Sequence, residues 1–159
     1  MSEPYEEILH GEVTLRLPPG PRHELICGRL HDFVHASVAN FPGTRLLDCR
    51  SEVQVDSANT LRPDLGLVTT ATSKLWLAVE VVSSGDHRTD TVVKKEIYEA
   101  LRLPRLWMVD PRYDNIEVYF ATTYGLRLQE ILATRDVLTE KLLPEFQMAL
   151  PDLFAPHNA

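Results

Sequence analysis

Two carboxylates stand inside apolar stretches of the sequence, where a charged side chain is costly to bury. Asp64 precedes Leu65-Gly-Leu-Val68, and Glu80 lies within Leu75-Trp-Leu-Ala-Val-Glu-Val-Val82. Each therefore needs an opposite charge, a hydrogen bond or a metal ion as partner. Carboxylate oxygens suit Mg²⁺ or Mn²⁺, ions that polarise a phosphate and activate water. A structural alternative stays open, in which Asp64 caps the turn after the preceding proline and Glu80 pairs with a neighbouring cation.

Lys94 is the third candidate for chemistry. It lies three and four residues before Ile97 and Tyr98, so it shares the helix face that is expected to pack inward. A lysine aimed at two carboxylates can orient or deprotonate a hydrolytic water and stabilise charge on a phosphate. Two other interpretations stay open: Lys94 extends past the edge of the core to solvent, or it pairs with Asp90 one turn earlier.

The elements around Asp64 and Glu80 must bring the two side chains together. Extended segments are predicted at 45–55, 61–69 and 75–82, with a turn at 69–74. Adjacent strands joined by that turn would place both carboxylates in one pocket. The strand alternation is expected to put Glu80 on one face with Trp76, Ala78 and Val82.

The remaining elements follow from apolar spacing. Alternation at 13, 15 and 17 predicts a half-buried strand, and Pro21 opens a helix that ends near Phe41. A second helix is predicted over 90–103, before Pro104. Further strands are predicted at 106–111, 115–120, 125–129 and 146–150, with the middle two as a hairpin. This order predicts a mixed α/β (α+β) fold, a sheet flanked by helices with extra antiparallel strands.

Composition limits the class of protein. The 159 residues and 44% apolar content fit one domain, expected over 1–155 with a disordered tail at 156–159. A net charge of −7 argues against a protein that coats DNA nonspecifically. Cys27 and Cys49 are too few for a disulfide framework or a zinc cluster, and both are expected to be buried thiols. No leader or membrane segment is recognisable, so we expect a cytoplasmic protein.

Several motifs occur in a fixed order along nearly the whole chain. They are Glu7-Ile-Leu-His-Gly-Glu12, Arg62-Pro-Asp64, Glu80-Val-Val-Ser83, Arg88-Thr-Asp90 followed by Lys94 and Tyr98, and Leu106-Trp-Met-Val-Asp-Pro111. In this order and spacing the sequence resembles the Uma-two family of restriction endonucleases, within the PD-(D/E)XK nuclease superfamily. The resemblance implies a restriction-endonuclease-like core and a metal-dependent endonuclease that hydrolyses DNA phosphodiester bonds.

The resemblance also implies a site. Asp64, Glu80 and the main-chain carbonyl of Val81 would bind Mg²⁺, or Mn²⁺, and Lys94 from the next helix would complete the catalytic set. In the parent motif the lysine stands two residues after the acid, where this chain has Val82. His23, on the first helix, would contact the phosphate or a coordinated water, although a structural role for this histidine stays open.

Two further acids have less defined roles. Glu7 is either an outer acid of the site or an exposed terminal glutamate, and Asp90 is expected to orient or cap its helix. The resemblance also implies a homodimer, for which an exposed strand such as 115–120 could pair with a second copy. Two other functions stay open: a non-catalytic domain of the same fold that serves binding or assembly, and a hydrolase of a smaller phosphodiester.

Overall fold

The computed structural model describes residues 3–83 and 85–156. Its helices are α1 (Pro21–Val38), α2 (Lys95–Ala100) and α3 (Leu150–Phe154), and α2 directly continues a π-helical segment, Thr89–Lys94. Its strands are β1 (Tyr5–Leu9), β2 (Glu12–Arg16), β3 (Thr44–Leu46), β4 (Val53–Gln54), β5 (Thr60–Leu61), β6 (Leu65–Thr69), β7 (Leu75–Val81), β8 (Arg105–Asp110), β9 (Asn115–Thr122), β10 (Gly125–Leu132), β11 (Val137–Thr139) and β12 (Gln147–Ala149).

A six-stranded mixed sheet forms the centre, in the order β10-β9-β8-β7-β6-β3. The pair β7 and β8 is parallel, while the other neighbours in this sheet are antiparallel. Parallel neighbours need a crossover connection, which the π-helical segment and α2 provide. The predicted mixed α+β class with a central sheet, flanking helices and additional antiparallel strands is confirmed.

Two apolar cores cover the two faces of this sheet. Ile26, Leu30 and Val34 of α1 pack on one face, and Ile97 and Tyr98 of α2 pack on the other. The ends of β6 and β7 that carry Asp64 and Glu80 are therefore enclosed by helices from both sides.

The predicted alternation of β7 holds from Leu77 onward but fails at its start. Leu67 of β6 pairs with Leu77, whereas Val68 pairs with Leu75, so β7 carries one extra residue at this point. This bulge turns Trp76 toward the α1 core and Leu75 toward the α2 core. The expectation that Trp76 shares a face with Glu80 was wrong for this reason.

A second, smaller sheet has the order β2-β1-β5-β4. Two segments that were predicted as single strands are each divided between the two sheets. The segment 45–55 overlaps β3 and β4, and the segment 61–69 overlaps β5 and β6. Arg50 adopts a φ of 56° between the first pair. Pro63, which has no N–H to donate, separates the second pair.

The strand predicted from the alternation at 13, 15 and 17 exists as β2, but the wrong face was expected to be buried. Val13 is 66% exposed and Leu15 is 62% exposed, whereas Arg16 is almost fully buried. Ion pairs of Arg16, described below, outweigh the burial of these two apolar side chains.

Several local predictions are settled by the structure. The first helix ends at Val38 and the second at Ala100, each about three residues before its predicted end. Cys27 is buried as expected, but Cys49 is exposed and lies outside any strand, so that prediction was wrong. The 115–129 hairpin is confirmed as β9 and β10, and the 146–150 strand as β12, paired with β11.

The proposed pairing strand for a dimer was also wrong. β9 already has β8 on one side and β10 on the other, so its backbone groups are not available to a second copy. The tail predicted at 156–159 lies, apart from Pro156, outside the described residues. Among the described helices, none has the length and apolar character needed to cross a membrane.

Candidate functional site

The ends of β6 and β7 bring the two predicted acids together. Leu65 pairs with Val79, and the same antiparallel register continued by one residue puts Asp64 beside Glu80. The main-chain N–H of Val81 donates a hydrogen bond of 2.8 Å to Asp64 Oδ2. Both carboxylates are buried. The expectation that adjacent strands join them in one place is met by this geometry.

Lys94, at the end of the π-helical segment, reaches the same place. Its Nζ lies 2.7 Å from Glu80 Oε2 and 2.7 Å from Glu7 Oε2, and the side chain is 0% exposed. At these distances both contacts are charge-assisted ion pairs. Neither structural alternative for Lys94 describes it, because the side chain does not reach solvent and Asp90 pairs with Arg16 instead. π-helical turns occur frequently at functional sites.

We define the lysine cluster as Glu7, Arg16, Glu80, Asp90 and Lys94. Arg16 contacts Glu7 Oε1 at 2.6 Å through Nη1 and Asp90 Oδ1 at 2.7 Å through Nη2. Its Nε contacts the half-buried Asp86 at 2.6 Å. The strand β2 is thereby tied to the segment that carries Lys94, across more than 70 residues of sequence.

Glu7 is not the exposed terminal glutamate that the sequence favoured. It is buried, because besides Lys94 and Arg16 it accepts a 2.7 Å hydrogen bond from the main-chain N–H of Arg62. Asp90 has no capping hydrogen bond at its helix, but its second oxygen accepts the N–H of Ser83 at 3.0 Å. Asp90 thus joins the loop after β7 to Arg16.

The pKa values in the lysine cluster follow from burial and from neighbouring charges. Burial raises the pKa of Glu80 to about 8, with Lys94 opposing and Asp64 reinforcing the rise. Burial would raise the pKa of Glu7 too, but Lys94 and the Arg62 N–H outweigh it, and the pKa is lowered. Burial disfavours the charged form of Lys94, yet Glu80 and Glu7 hold its pKa above the usual value. Lys94 therefore remains a cation at neutral pH, and Glu80 ionises less readily than an exposed glutamate.

Tyr98 completes the surroundings of Glu80. Its hydroxyl donates a 2.6 Å hydrogen bond to Glu80 Oε2, the oxygen that also faces Lys94. Burial, followed by the charge of Glu80, holds the pKa of Tyr98 well above its usual value. Tyr98 therefore acts as a hydrogen-bond donor that fixes the Glu80 side chain.

A second group lies on the α1 side, and we define the histidine cluster as His23, Glu24, Cys27, Arg50 and Asp64. His23 Nε2 lies 2.8 Å from the Val81 carbonyl oxygen and 3.6 Å from Asp64 Oδ2. Arg50 Nη1 donates to Asp64 Oδ1 at 3.0 Å, and Nη2 donates to Glu24 Oε1 at 2.6 Å. Asp64 thus connects the histidine cluster to β7.

Arg50 was not identified from the sequence, and neither was Arg16. Arg50 lies in an irregular segment with a positive φ, where no periodic pattern predicts the direction of its side chain. Arg16 could have been recognised from one signal, since it occupies the inward position of a strand whose outward positions are apolar.

The donor groups fit a hard divalent cation. Two carboxylates from neighbouring strands and the carbonyl of Val81 offer oxygen ligands of the type that Mg²⁺ and Mn²⁺ prefer. With these two, the region has four buried carboxylates, Glu7, Asp64, Glu80 and Asp90, against two buried cations, Arg16 and Lys94, and the partly buried Arg50. A divalent cation would neutralise this excess of negative charge.

A groove of about 280 Å³ lies beside this region, and His23 and Val82 line it. Arg22 and His23 line one side, and Ser83 and Arg112 line another. Both arginines are partly neutralised, because Arg22 pairs with Asp114 at 2.6 Å and Arg112 pairs with an aspartate on β8 at 2.8 Å. The groove thus places Arg22 and Arg112 on the same surface as Val82, the residue that follows Val81.

None of the curated proteins searched matches the chain. Among solved structures, the fold is similar to that of "a putative nuclease belonging to DUF820 from Anabaena variabilis ATCC 29413", with a TM-score of 0.80 and 14% sequence identity over 97% of this chain and 92% of that chain. The family model Uma2, described as "Putative restriction endonuclease", matches residues 2–151. The chain therefore belongs to the Uma2 family.

Proposed function

We propose that this protein is a divalent-metal-dependent endonuclease that hydrolyses phosphodiester bonds of DNA. The observation that carries the proposal is the 2.7 Å ion pair between Lys94 and Glu80, beside Asp64 on the neighbouring strand. Two acids and a lysine that converge at one strand end are the groups that this hydrolysis requires. Membership of the Uma2 family and the similarity of the fold to that of a nuclease support the same activity.

Asp64, Glu80 and the Val81 carbonyl would hold Mg²⁺, with Mn²⁺ as a substitute. When bound, this ion polarises the phosphate and lowers the pKa of a water molecule. Asp64 is held for this role by the Val81 N–H and by Arg50. Burial raises the pKa of Glu80, and a divalent cation beside it would favour the ionised carboxylate that binds metal.

Lys94 would act as a fixed positive charge and not as the base. Its carboxylate neighbours raise its pKa, so at neutral pH it donates hydrogen bonds and cannot accept a proton. A cation in this position orients a water molecule or stabilises the charge that develops on the phosphate. Glu7 and Arg16 hold the lysine cluster in place but have no proposed contact with substrate.

His23 would position groups at the groove. Its Nε2–H donates to the Val81 carbonyl at 2.8 Å, and the ring borders the groove through which a phosphate could approach. Arg22 and Arg112 supply local positive charge there, which offsets the net charge of −7 on the whole chain. DNA is the proposed substrate because the family is one of restriction endonucleases.

Plasmid cleavage tests the proposal directly. Supercoiled plasmid and single-stranded DNA are incubated with the protein in Mg²⁺, Mn²⁺ or EDTA, together with Asp64→Asn, Glu80→Gln and Lys94→Met. We expect cleavage only with metal, and a loss of at least about 100-fold in each variant. Lys95→Met is the matched control, because the neighbouring lysine lies over the Tyr119 ring at 4.6 Å, away from the cluster. Its activity should stay at the wild-type level.

Folding must be measured in the same samples, since Lys94→Met removes the cation of Glu80 and leaves Glu7 with Arg16 alone. Circular dichroism and thermal unfolding identify a variant that has lost its fold. Calorimetric titration of Mn²⁺ then measures metal binding in the absence of DNA. We expect binding that requires Asp64 and Glu80. Cleavage that persists in all three variants would show a contaminating nuclease and sink the proposal.

One observation favours a second candidate, a non-catalytic domain that serves binding or assembly. The side chain of Lys94 is 0% exposed and is held by two glutamates, an arrangement that also suits a purely structural ion-pair network. If folded wild-type protein neither cleaves DNA nor binds Mn²⁺, this second function replaces the first. A homodimer, proposed for cleavage of two strands, is checked by sedimentation of the same protein with and without duplex DNA.

A further inference from the structure

The α1 side of the site contains ligands of a different chemistry from the oxygen donors. His23, Cys27 and Asp64 each offer one ligand atom, and these three atoms lie within 4.8 Å of one another. Cys27 and Asp64 are buried, and the His23 side chain is 10% exposed. A thiol and an imidazole are unusual beside a magnesium site, because Mg²⁺ prefers oxygen, whereas Zn²⁺ and similar ions bind sulfur and nitrogen.

The spacing of the first two ligands already suits a tetrahedral ion. His23 and Cys27 are one helical turn apart on α1, and Cys27 Sγ lies 3.5 Å from His23 Nδ1. Bonds of about 2.3 Å to sulfur and about 2.0 Å to nitrogen at a tetrahedral angle separate the two ligand atoms by about 3.5 Å. The observed separation of the two atoms therefore matches that of two ligands of one tetrahedral ion.

The other nitrogen of His23 fixes the required tautomer. Nε2 lies 2.8 Å from the carbonyl oxygen of Val81, which can only accept a hydrogen bond, so Nε2 carries the hydrogen. Nδ1 is then left with a lone pair that points toward Cys27. A histidine that binds a metal usually donates its second N–H to a carbonyl or carboxylate in this way.

Asp64 supplies the third ligand from the opposite side. One of its oxygens lies within 4.8 Å of the ligand atoms of His23 and Cys27, and the Val81 N–H and Arg50 hold the carboxylate in that position. One carboxylate, one imidazole and one thiolate carry two negative charges, which neutralise a divalent ion. Three protein ligands also leave a fourth tetrahedral position for water.

We propose that His23, Cys27 and Asp64 form a binding site for a thiophilic divalent cation of the Zn²⁺ class. Binding converts the Cys27 thiol to a thiolate and releases its proton to solvent. Because Asp64 belongs to both sites, Zn²⁺ at this site competes with Mg²⁺ for the same carboxylate. This competition, which rests on the proposed nuclease function, makes Zn²⁺ an inhibitor of Mg²⁺-dependent cleavage.

Cobalt spectroscopy tests the site without any need for nuclease activity. Co²⁺ is titrated into reduced, metal-free protein, and the absorption of a thiolate-to-cobalt charge transfer is recorded in the near ultraviolet. We expect one Co²⁺ per chain, displaced by one equivalent of Zn²⁺. The chain has only two cysteines, so Cys49→Ser identifies the ligand by itself. Cys49 contacts Cys27 but lies outside the group of three, so the band should persist in Cys49→Ser.

Variants of the proposed ligands sharpen the assignment. Cys27→Ser should abolish the thiolate band, and His23→Gln should weaken Co²⁺ binding by more than about tenfold. If Cys27→Ser does not fold, the Cys49→Ser result still decides the identity of the sulfur ligand. A wild-type protein without a thiolate band, or a band lost in Cys49→Ser, overturns the proposal. Either result leaves the nuclease proposal intact, since plasmid cleavage in Mg²⁺ is measured separately.

Discussion

The lysine cluster and the histidine cluster lie on opposite sides of the last residues of β7, and they hold their charges differently. In the lysine cluster every side chain is at most 4% exposed, and each charge faces an opposite charge. The histidine cluster is partly open, with the Glu24 side chain 35% exposed, and it includes an imidazole and a thiol. The charges of the lysine cluster are thus satisfied by one another, whereas the histidine cluster borders solvent.

The structural reason lies in the elements that cover each cluster. The β1–β2 hairpin and the π-helical segment close the lysine cluster, and Arg16 and Asp90 join these two elements. The histidine cluster is covered by one face of α1 and borders the groove at His23. Glu80 and Val81, successive residues of one strand, point to the two sides. A metal ion at Asp64 would therefore act on both clusters at once.

Removal of Arg16 should give the largest loss of stability among the variants that compare the lysine cluster with more exposed charges. Arg16→Met leaves Glu7, Asp86 and Asp90 without a shared cation in a buried site, and we expect a loss of about 3–5 kcal/mol in the free energy of unfolding. Urea denaturation measures it. Arg22→Met is the matched control, because that side chain is 42% exposed in its pair with Asp114, and the loss should stay below about 1 kcal/mol. Equal losses in the two variants would remove the distinction between closed and open charges.

Glu7 and Glu80 provide a second test inside the lysine cluster. Both contact Lys94 at 2.7 Å, but the pKa of Glu7 is lowered and that of Glu80 is raised to about 8. Glu7→Gln should therefore cost about 1.5–3 kcal/mol, as expected for hydrogen bonds to a charged group. Glu80→Gln should change the stability of the metal-free protein by less than about 1 kcal/mol.

The pH dependence of that comparison has a definite sign. A carboxyl whose pKa is raised on folding contributes its full stability below the unfolded pKa and loses it as the pH rises through the folded pKa. In EDTA, wild type should lose stability relative to Glu80→Gln between about pH 5 and 8. Thermal unfolding of both proteins across this range measures the difference. A constant difference would mean that Glu80 is charged throughout.

The sequence predicted the elements of this fold better than it predicted their contacts. Apolar spacing was sufficient for α1, for β7 and for the β9–β10 hairpin, because burial against one core imposes a regular period. The same argument placed Lys94 on the inner face of its helix, next to Ile97. Asp64 and Glu80 could be brought together because they flank a single turn.

The contacts that were missed join residues distant in sequence. Arg16 meets Asp90 across 74 positions and His23 meets Val81 across 58, and neither contact leaves a periodic signal. The burial of Glu7 follows from these long-range ion pairs, so local composition suggested an exposed residue. The face of β2 was mistaken for the same reason, since three carboxylates around Arg16 outweigh two apolar side chains.

Substitutions on the outer face of β2 should have the smallest effect on stability. They test whether the ion pairs of Arg16 determine which face of β2 is buried. If ion pairs hold the hairpin over the lysine cluster, Val13→Thr with Leu15→Thr should change stability by less than about 0.5 kcal/mol, because both side chains are already in solvent. Leu9→Ala, on the buried side of β1, is the control and should cost about 2–5 kcal/mol. Urea denaturation at two protein concentrations measures both. A loss of stability above about 1 kcal/mol in the double variant, or a loss that depends on protein concentration, would mean that another chain covers this face. The position of the hairpin would then depend on that contact as well as on Arg16.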